Sequence, residues 1–231
     1  DRVEENKLVN EIRRKVGFWR RGGYGGVTPV TSRLLAYWTD PDREKKLFFC
    51  QIEALETAIY ITEVAPRVGE PWIGNELRKA NDMSNPGLPR MALKMATGTG
   101  KTVVMAMLIA WQALNKLAAS RDARFADTFL LIAPGITIRD RLRVLLPNDP
   151  QNYYRQRDII PSQSIEELGQ AKILITNFHA FRLREKSSVG KVTKSILPDG
   201  GAAFLETPDQ MVRRVCRELG NKKNIIVIND E

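Results

Sequence analysis

The stretch KMATGTGKTVV, residues 94–104, limits what this chain can fold into more than any other. Apolar residues run into it, a long apolar segment runs out of it, and Gly98 and Gly100 lie between, just ahead of Lys101 and Thr102. Glycines at a strand exit let backbone N–H groups turn inward around an anion, and a helix starting there adds the positive end of its dipole. The usual spacing of such a loop is G-x-x-x-x-G-K-[ST], and Met95 stands where the first glycine is expected. A side chain is tolerated there if the strand leaves without a positive φ. The candidate phosphate cradle is therefore Ala96, Thr97, Gly98, Thr99, Gly100, Lys101 and Thr102. Lys101 is placed to reach the β- and γ-phosphates of ATP, and the Thr102 hydroxyl to meet Mg²⁺. The bland alternative is a glycine-rich turn, and the strand–loop–helix setting of G-K-T weighs against it.

A carboxylate-bearing strand belongs with such a loop. NIIVINDE, at residues 224–231, carries four apolar residues into Asp230 and Glu231. A buried parallel strand delivers its last residues to the sheet edge where ligands bind. Asp230 is the candidate Mg²⁺ holder and Glu231 the candidate polariser of the attacking water. Taken alone, the same residues read as a strand ending in a solvated acidic turn. Upstream, in LFFCQIEALE, the Gln51 amide can both donate to and accept from a purine edge, and Phe48 or Phe49, with Phe49 preferred, can stack on the base. The competing reading there is an ordinary pair of core aromatics before an amphipathic helix.

Around these motifs the chain alternates short apolar strands with helices. Strands are expected at residues 90–96, 128–134, 172–177 and 224–230, and helices at 50–64, 101–117, 137–146 and 207–219. This order argues for an α/β fold, a parallel sheet covered on both faces. Residues 65–89, with PRVGEP and NPGLP, read as a long loop, and 185–206, rich in Lys, Ser and Gly, as an exposed insertion. Residues 1–40 read as a small helical appendage. Leu8, Ile12 and Val16 form one stripe, GGYGG ends it, and Thr28-Pro29 caps a second short helix. Residues 41–231 form the nucleotide-binding domain.

Lysine and arginine exceed aspartate and glutamate by 36 to 27, giving a formal charge of +9. That balance suits a polyanionic partner, nucleic acid first. The two cysteines, Cys50 and Cys216, are far apart in sequence, which argues against a disulfide framework or a zinc site and for a cytoplasmic setting. The longest apolar run is too short to cross a bilayer. The chain opens on Asp1 and closes on Glu231, so a longer parent protein, truncated at its C-terminal side, is expected.

Taken together the motifs resemble the first motor lobe of superfamily 2 helicases and translocases. ATGTGKT is similar to their first motif, Gln51 to their Q-motif glutamine, LIAPGITIRDRL (residues 131–142) to motif Ia, ITNFHAF to a later nucleic-acid motif, and INDE to the start of the DExx box. MATGTGKT, TNFH and INDE most resemble the motor subunit of type III restriction enzymes. The resemblance implies a RecA-like P-loop NTPase fold, ATP with Mg²⁺, and double-stranded DNA as track, with RNA left open. It also implies parts outside these 231 residues: a second motor lobe with an arginine finger, and possibly a nuclease domain and a methyltransferase subunit. The isolated lobe is accordingly expected to bind ATP without appreciable turnover.

In such a lobe the track crosses the sheet edge. Gly135, Thr137 and Arg139 follow one strand, and Thr176, Asn177 and His179 end or follow the next. These groups suit phosphate and sugar, so sequence preference is not expected. His179 is as readily a packing residue at a helix start. Two other readings stay open: a P-loop kinase or ATPase without a track, and a non-catalytic nucleic-acid-binding module with a relict loop.

Overall fold

A computed structural model describes residues 6–184 and 205–230. The fold is α/β, with a parallel sheet of three strands among the described residues, in the order β2-β1-β3. Strand β1 (Thr128–Ala133) is central, paired on one side with β2 (Lys172–Asn177) and on the other with β3 (Ile226–Asn229). Phe129, Leu131 and Ala133 of β1 are fully buried. This is the near-continuous apolar character that a central parallel strand needs.

The helix that leaves the glycine loop, Lys101–Ala118, runs through the main core. Its residues Ala106, Met107, Ile109, Ala110 and Ala113 are completely buried, and small residues on so much of its surface let neighbours approach closely. The helices Pro29–Thr39 and Phe49–Ile59 pack on it. In chain order the α-helices are α1 (Lys7–Arg21), α2 (Pro29–Thr39), α3 (Phe49–Ile59), α4 (Pro71–Ser84), α5 (Lys101–Ala118), α6 (Ile136–Arg141), α7 (Tyr153–Gln156), α8 (Ile165–Leu168) and α9 (Pro208–Val215). A π-helical turn, Tyr60–Val64, extends α3.

Two expectations change. Residues 90–96 form no strand: the run is apolar, but no ladder reaches it among the described residues, and a strand exists only with a partner. Leu93 and Met95 still pack against the main core. The loop expected over 65–89 contains α4. Its Pro71 sits at the first turn, where proline is tolerated, and Ile73 is completely buried against α1 and the π turn. The flanking prolines and glycines hid this helix. Leu34, Leu35 and Trp38 of α2, before residue 40, lie in the same core as α5 and β1. Most of the insertion expected over 185–206 lies outside the described residues.

A strap joins the first helices to the middle of the chain. The Trp38 indole N–H donates to the Ile159 carbonyl at 2.8 Å. The nearly buried Arg43 donates to the carbonyls of Lys45 at 2.8 Å and Arg157 at 3.1 Å, and also to that of Asp158. The Tyr37 hydroxyl closes on the Asp158 carboxylate.

Candidate active site

The strand expected to enter the glycine loop is absent, and the glycine turn and the helix that leaves it are present. Gly98 has φ +81° and Gly100 φ +79°, left-handed conformations that L side chains rarely adopt. Around Gly98 nothing lies within 4 Å of the place a Cβ would take, so the loop is open where an anion would enter. Gly100 differs, because a Cβ there would collide with the Gln51 amide nitrogen. The Thr99 hydroxyl ties the loop internally by donating to the Ala96 carbonyl at 2.7 Å. Helix α5 begins at Lys101, directly after Gly100, and runs for 18 residues. Thr102 sits half-buried in its first turn.

Lys101 folds back over the loop: its ammonium donates to the Met95 carbonyl at 3.4 Å. Met95, the residue in place of the first glycine, thus supplies a backbone acceptor for the lysine. The contact is long and weak, so an arriving phosphate competes for the ammonium on favourable terms.

Gln51 is almost fully buried, and its amide is already engaged. Its Oε1 accepts from the Phe48 N–H at 2.9 Å, and its Nε2 donates to the Thr99 carbonyl at 2.9 Å. In this structure it clamps the start of α3 to the glycine loop, with its acceptor turned to its own helix. Phe49 lies four and seven residues before Glu53 and Glu56, on the α3 face that meets α1, and its ring lies under the Arg20 guanidinium at 5.0 Å. Phe48, the extended cap residue of α3, is 60% exposed, and Phe49 is 59% exposed. The Phe49 ring, expected to stack on the base, is thus already covered on one side by Arg20.

The opposite side of α3 carries groups that sequence reading missed. Glu56 is completely buried and takes hydrogen bonds from Arg20 Nε at 2.8 Å and from Tyr24 Oη at 2.5 Å. That pairing raises the Arg20 guanidinium, and burial with the Glu56 bond pushes the Tyr24 phenol well up. Glu63, in the π turn, is buried and accepts from Thr28 N–H, Thr31 Oγ1 and Trp111 Nε1 at 2.8, 2.7 and 2.8 Å. In the sequence, Glu56 and Glu63 lie seven residues apart in a largely apolar stretch.

The strand ends meet at one sheet edge. Asp230 N–H donates to the Ile132 carbonyl at 3.0 Å, which continues the β1–β3 ladder and brings Asp230 to that edge. Ala133 of β1 is opposite Asn177 of β2. Thr137 and His179 are exposed, and Gly135, Arg139, Thr176 and Asn177 are half-buried. Arg139 is paired with Asp140 at 2.8 Å. Asn177 Oδ1 accepts the Ala180 N–H at 3.0 Å, which leaves the amide nitrogen as its outward group. Glu231 lies outside the described residues. Among those described, no three His, Cys, Asp or Glu side chains gather to hold a metal. Magnesium in nucleotide sites keeps several waters and takes one or two protein ligands besides phosphate, so Thr102 and Asp230 fit that demand.

A family model described as type III restriction enzyme, res subunit, matches residues 44–231. The chain belongs to that family. No curated protein and no solved structure matches it. The family has a superfamily 2 helicase N-terminal lobe and ATP-dependent, helicase-like motor activity. Helices α1 and α2 lie before the matched region. No helix among the described residues is long and apolar enough to cross a membrane.

Proposed function

We propose that this chain is the ATP-binding lobe of a motor that couples ATP hydrolysis to movement on duplex DNA, in a type III restriction-like system. The supporting observation is the open glycine loop, with two left-handed glycines opening an 18-residue helix, in a chain whose last strand carries Asp230 to the ligand edge of a parallel sheet. Phosphate oxygens take the backbone N–H groups of residues 97–101, and the positive end of α5 favours them there. Lys101 leaves the Met95 carbonyl for the β- and γ-oxygens. Thr102 and Asp230 would hold Mg²⁺, which would supply positive charge against the phosphates. Glu231 orients the attacking water. Thr137, Arg139, Thr176, Asn177 and His179 meet the sugar–phosphate backbone of the track.

Isothermal calorimetry with Mg²⁺-ATP tests this reading. Wild type binds, and Lys101→Ala weakens binding by roughly 10- to 100-fold through loss of a charge-assisted contact. Equal affinities remove the loop assignment. Turnover by these 231 residues stays negligible, because an arginine finger supplied by a second lobe is worth about 10³–10⁵ in rate. Steady-state phosphate release with and without duplex DNA measures it. Robust turnover that ignores DNA would favour a nucleotide enzyme without a track.

A further inference from the structure

The sheet edge carries a feature that backbone contacts alone do not use. Ile136 is 61% exposed and Phe178 is 60% exposed. Both follow neighbouring strands: Ile136 comes soon after Ala133, Phe178 immediately after Asn177, and those two residues are register partners. Helix α6, which Ile136 opens, packs against both strands. The two apolar side chains therefore belong to one stretch of the edge.

The turn that presents Phe178 is held from within and from behind. Asn177 Oδ1 caps it at Ala180 N–H, 3.0 Å away. Arg214 of α9 donates to the Ala180 and Arg182 carbonyls, each at 3.1 Å, and is itself neutralised by Glu206 at 2.8 Å. The His179 ring meets the Phe178 ring edge-on, with centroids 5.7 Å apart. Hydrogen bonds that fix a ring in water make it a presented group rather than a frayed one. Its surroundings are basic: Arg139 and Arg141 on α6, Arg182 and Arg184 after the turn, against Asp140 on α6 and Glu206 behind.

We propose that Ile136 and Phe178 form an apolar step on which an unstacked base of a single nucleic-acid strand rests, with Phe178 as the stacking ring. The proposal rests on the reading of this edge as the nucleic-acid face. A duplex shows its sides as phosphate and sugar, with base faces covered by neighbouring bases, so an exposed phenyl ring gains little from it. A strand with splayed bases offers π-faces, and an aromatic ring beside arginines is the combination that binds them without reading sequence. The basic surroundings favour a polyanion over an apolar protein surface.

Fluorescence anisotropy of the 231-residue chain with three labelled ligands of equal phosphate number tests this: an oligo-dT strand, the same strand made abasic, and a duplex. Wild type should bind oligo-dT roughly 5- to 100-fold more tightly than the abasic strand, the range expected for one stacked base. Phe178→Ala should abolish that ratio, and Phe178→Trp should restore it. Phe178→Ala should also leave the slope of log Kd against log salt unchanged, whereas Arg139→Gln should reduce it by about one. Equal wild-type binding to base-bearing and abasic strands overturns the step but leaves the track intact, and assigns the apolar patch to a protein partner. Phe178→Ala that weakens all three ligands alike, with no rescue by Trp, makes the ring structural and also overturns the step. A wild type that binds no nucleic acid overturns both the step and the motor reading.

Discussion

The two faces of α3 treat polar groups in opposite ways. On the α1 side Glu56 is completely buried beneath Arg20 and Tyr24, Glu53 meets Arg13 at 3.1 Å, and farther on Glu70 pairs with Lys15 and with Tyr60, whose hydroxyl lies 2.7 Å away. Lys15 and Tyr60 hold the Glu70 carboxyl below its usual range against the opposing effect of burial. On the loop side Gln51 grips Thr99 while Lys101 rests on a carbonyl at 3.4 Å and Gly98 opens onto empty space. The first face is closed on itself, with each carboxylate consumed internally. The second holds its frame rigid and leaves its cation in a contact weak enough to surrender. A ligand site differs from a structural ion cluster in that incompleteness more than in its residue types.

The contrast breaks most severely at Glu56. Glu56→Ala strands the Arg20 guanidinium and the Tyr24 hydroxyl in a half-buried setting, and losing hydrogen bonds to a charged group costs roughly 1.5–3 kcal/mol. Urea unfolding should show that loss as a lower midpoint. Lys101→Ala, on the other face, should leave the midpoint within about 0.5 kcal/mol of wild type, as half-exposed positions usually do, while nucleotide affinity falls. A Lys101→Ala protein as unstable as Glu56→Ala would erase the distinction.

The two glycines sharpen it. Gly98→Ala meets only left-handed strain, roughly 1–2 kcal/mol. Gly100→Ala meets similar strain and also displaces Gln51 from Thr99, losing a hydrogen bond worth on the order of 1 kcal/mol more. The same urea titration should rank Gly100→Ala below Gly98→Ala. Adding Gln51→Ala to Gly100→Ala should cost less than Gln51→Ala does alone, because the collision is then gone.

The smallest effect lies away from both faces. Arg124 holds the Asp122 carboxyl down at about 2. A carboxyl depressed in the folded state stabilises fully above its unfolded value, near 3.9. That contribution fades as pH falls through about 2. Asp122→Asn should therefore flatten the acid limb of stability between about pH 4 and 2 and change nothing in the shape of the curve above it. Midpoints measured across pH 2–6 check this, and an unchanged acid limb would sever Asp122 from the acid sensitivity.

Much of this architecture was legible because its signals are local. β1, β2 and α5 stand out as apolar runs of the right length, and Gly98 and Gly100 mark the turn that opens α5. What escaped was decided between distant segments. Residues 90–96 look like a strand, yet pairing depends on a neighbour that the run itself does not contain. Helix α4 was masked by Pro71 and by glycines on either side, although Trp72, Ile73 and Leu77 already carried the spacing. The place of Phe49 under Arg20 is fixed by where α1 docks, which the FF pair by itself does not show. Glu56 resembles a solvated charge until Arg20 and Tyr24 are placed beside it. Which sheet-edge residues face outward likewise depended on α9, whose Arg214 reaches back across the chain to hold the Phe178 turn.

The strap between α2 and residues 157–159 has a consequence for how this chain is made. Trp38 and its partner Ile159 are 121 residues apart, so at a synthesis rate of roughly 5–20 residues per second the partner appears roughly 6–24 s after the indole. Helix α5 ends at Ala118, well before that. The first three helices can thus gather on α5 while the N–H of Trp38 and the guanidinium of Arg43 still face water. Closure then waits for one short stretch, Arg157 to Ile159, to leave the ribosome.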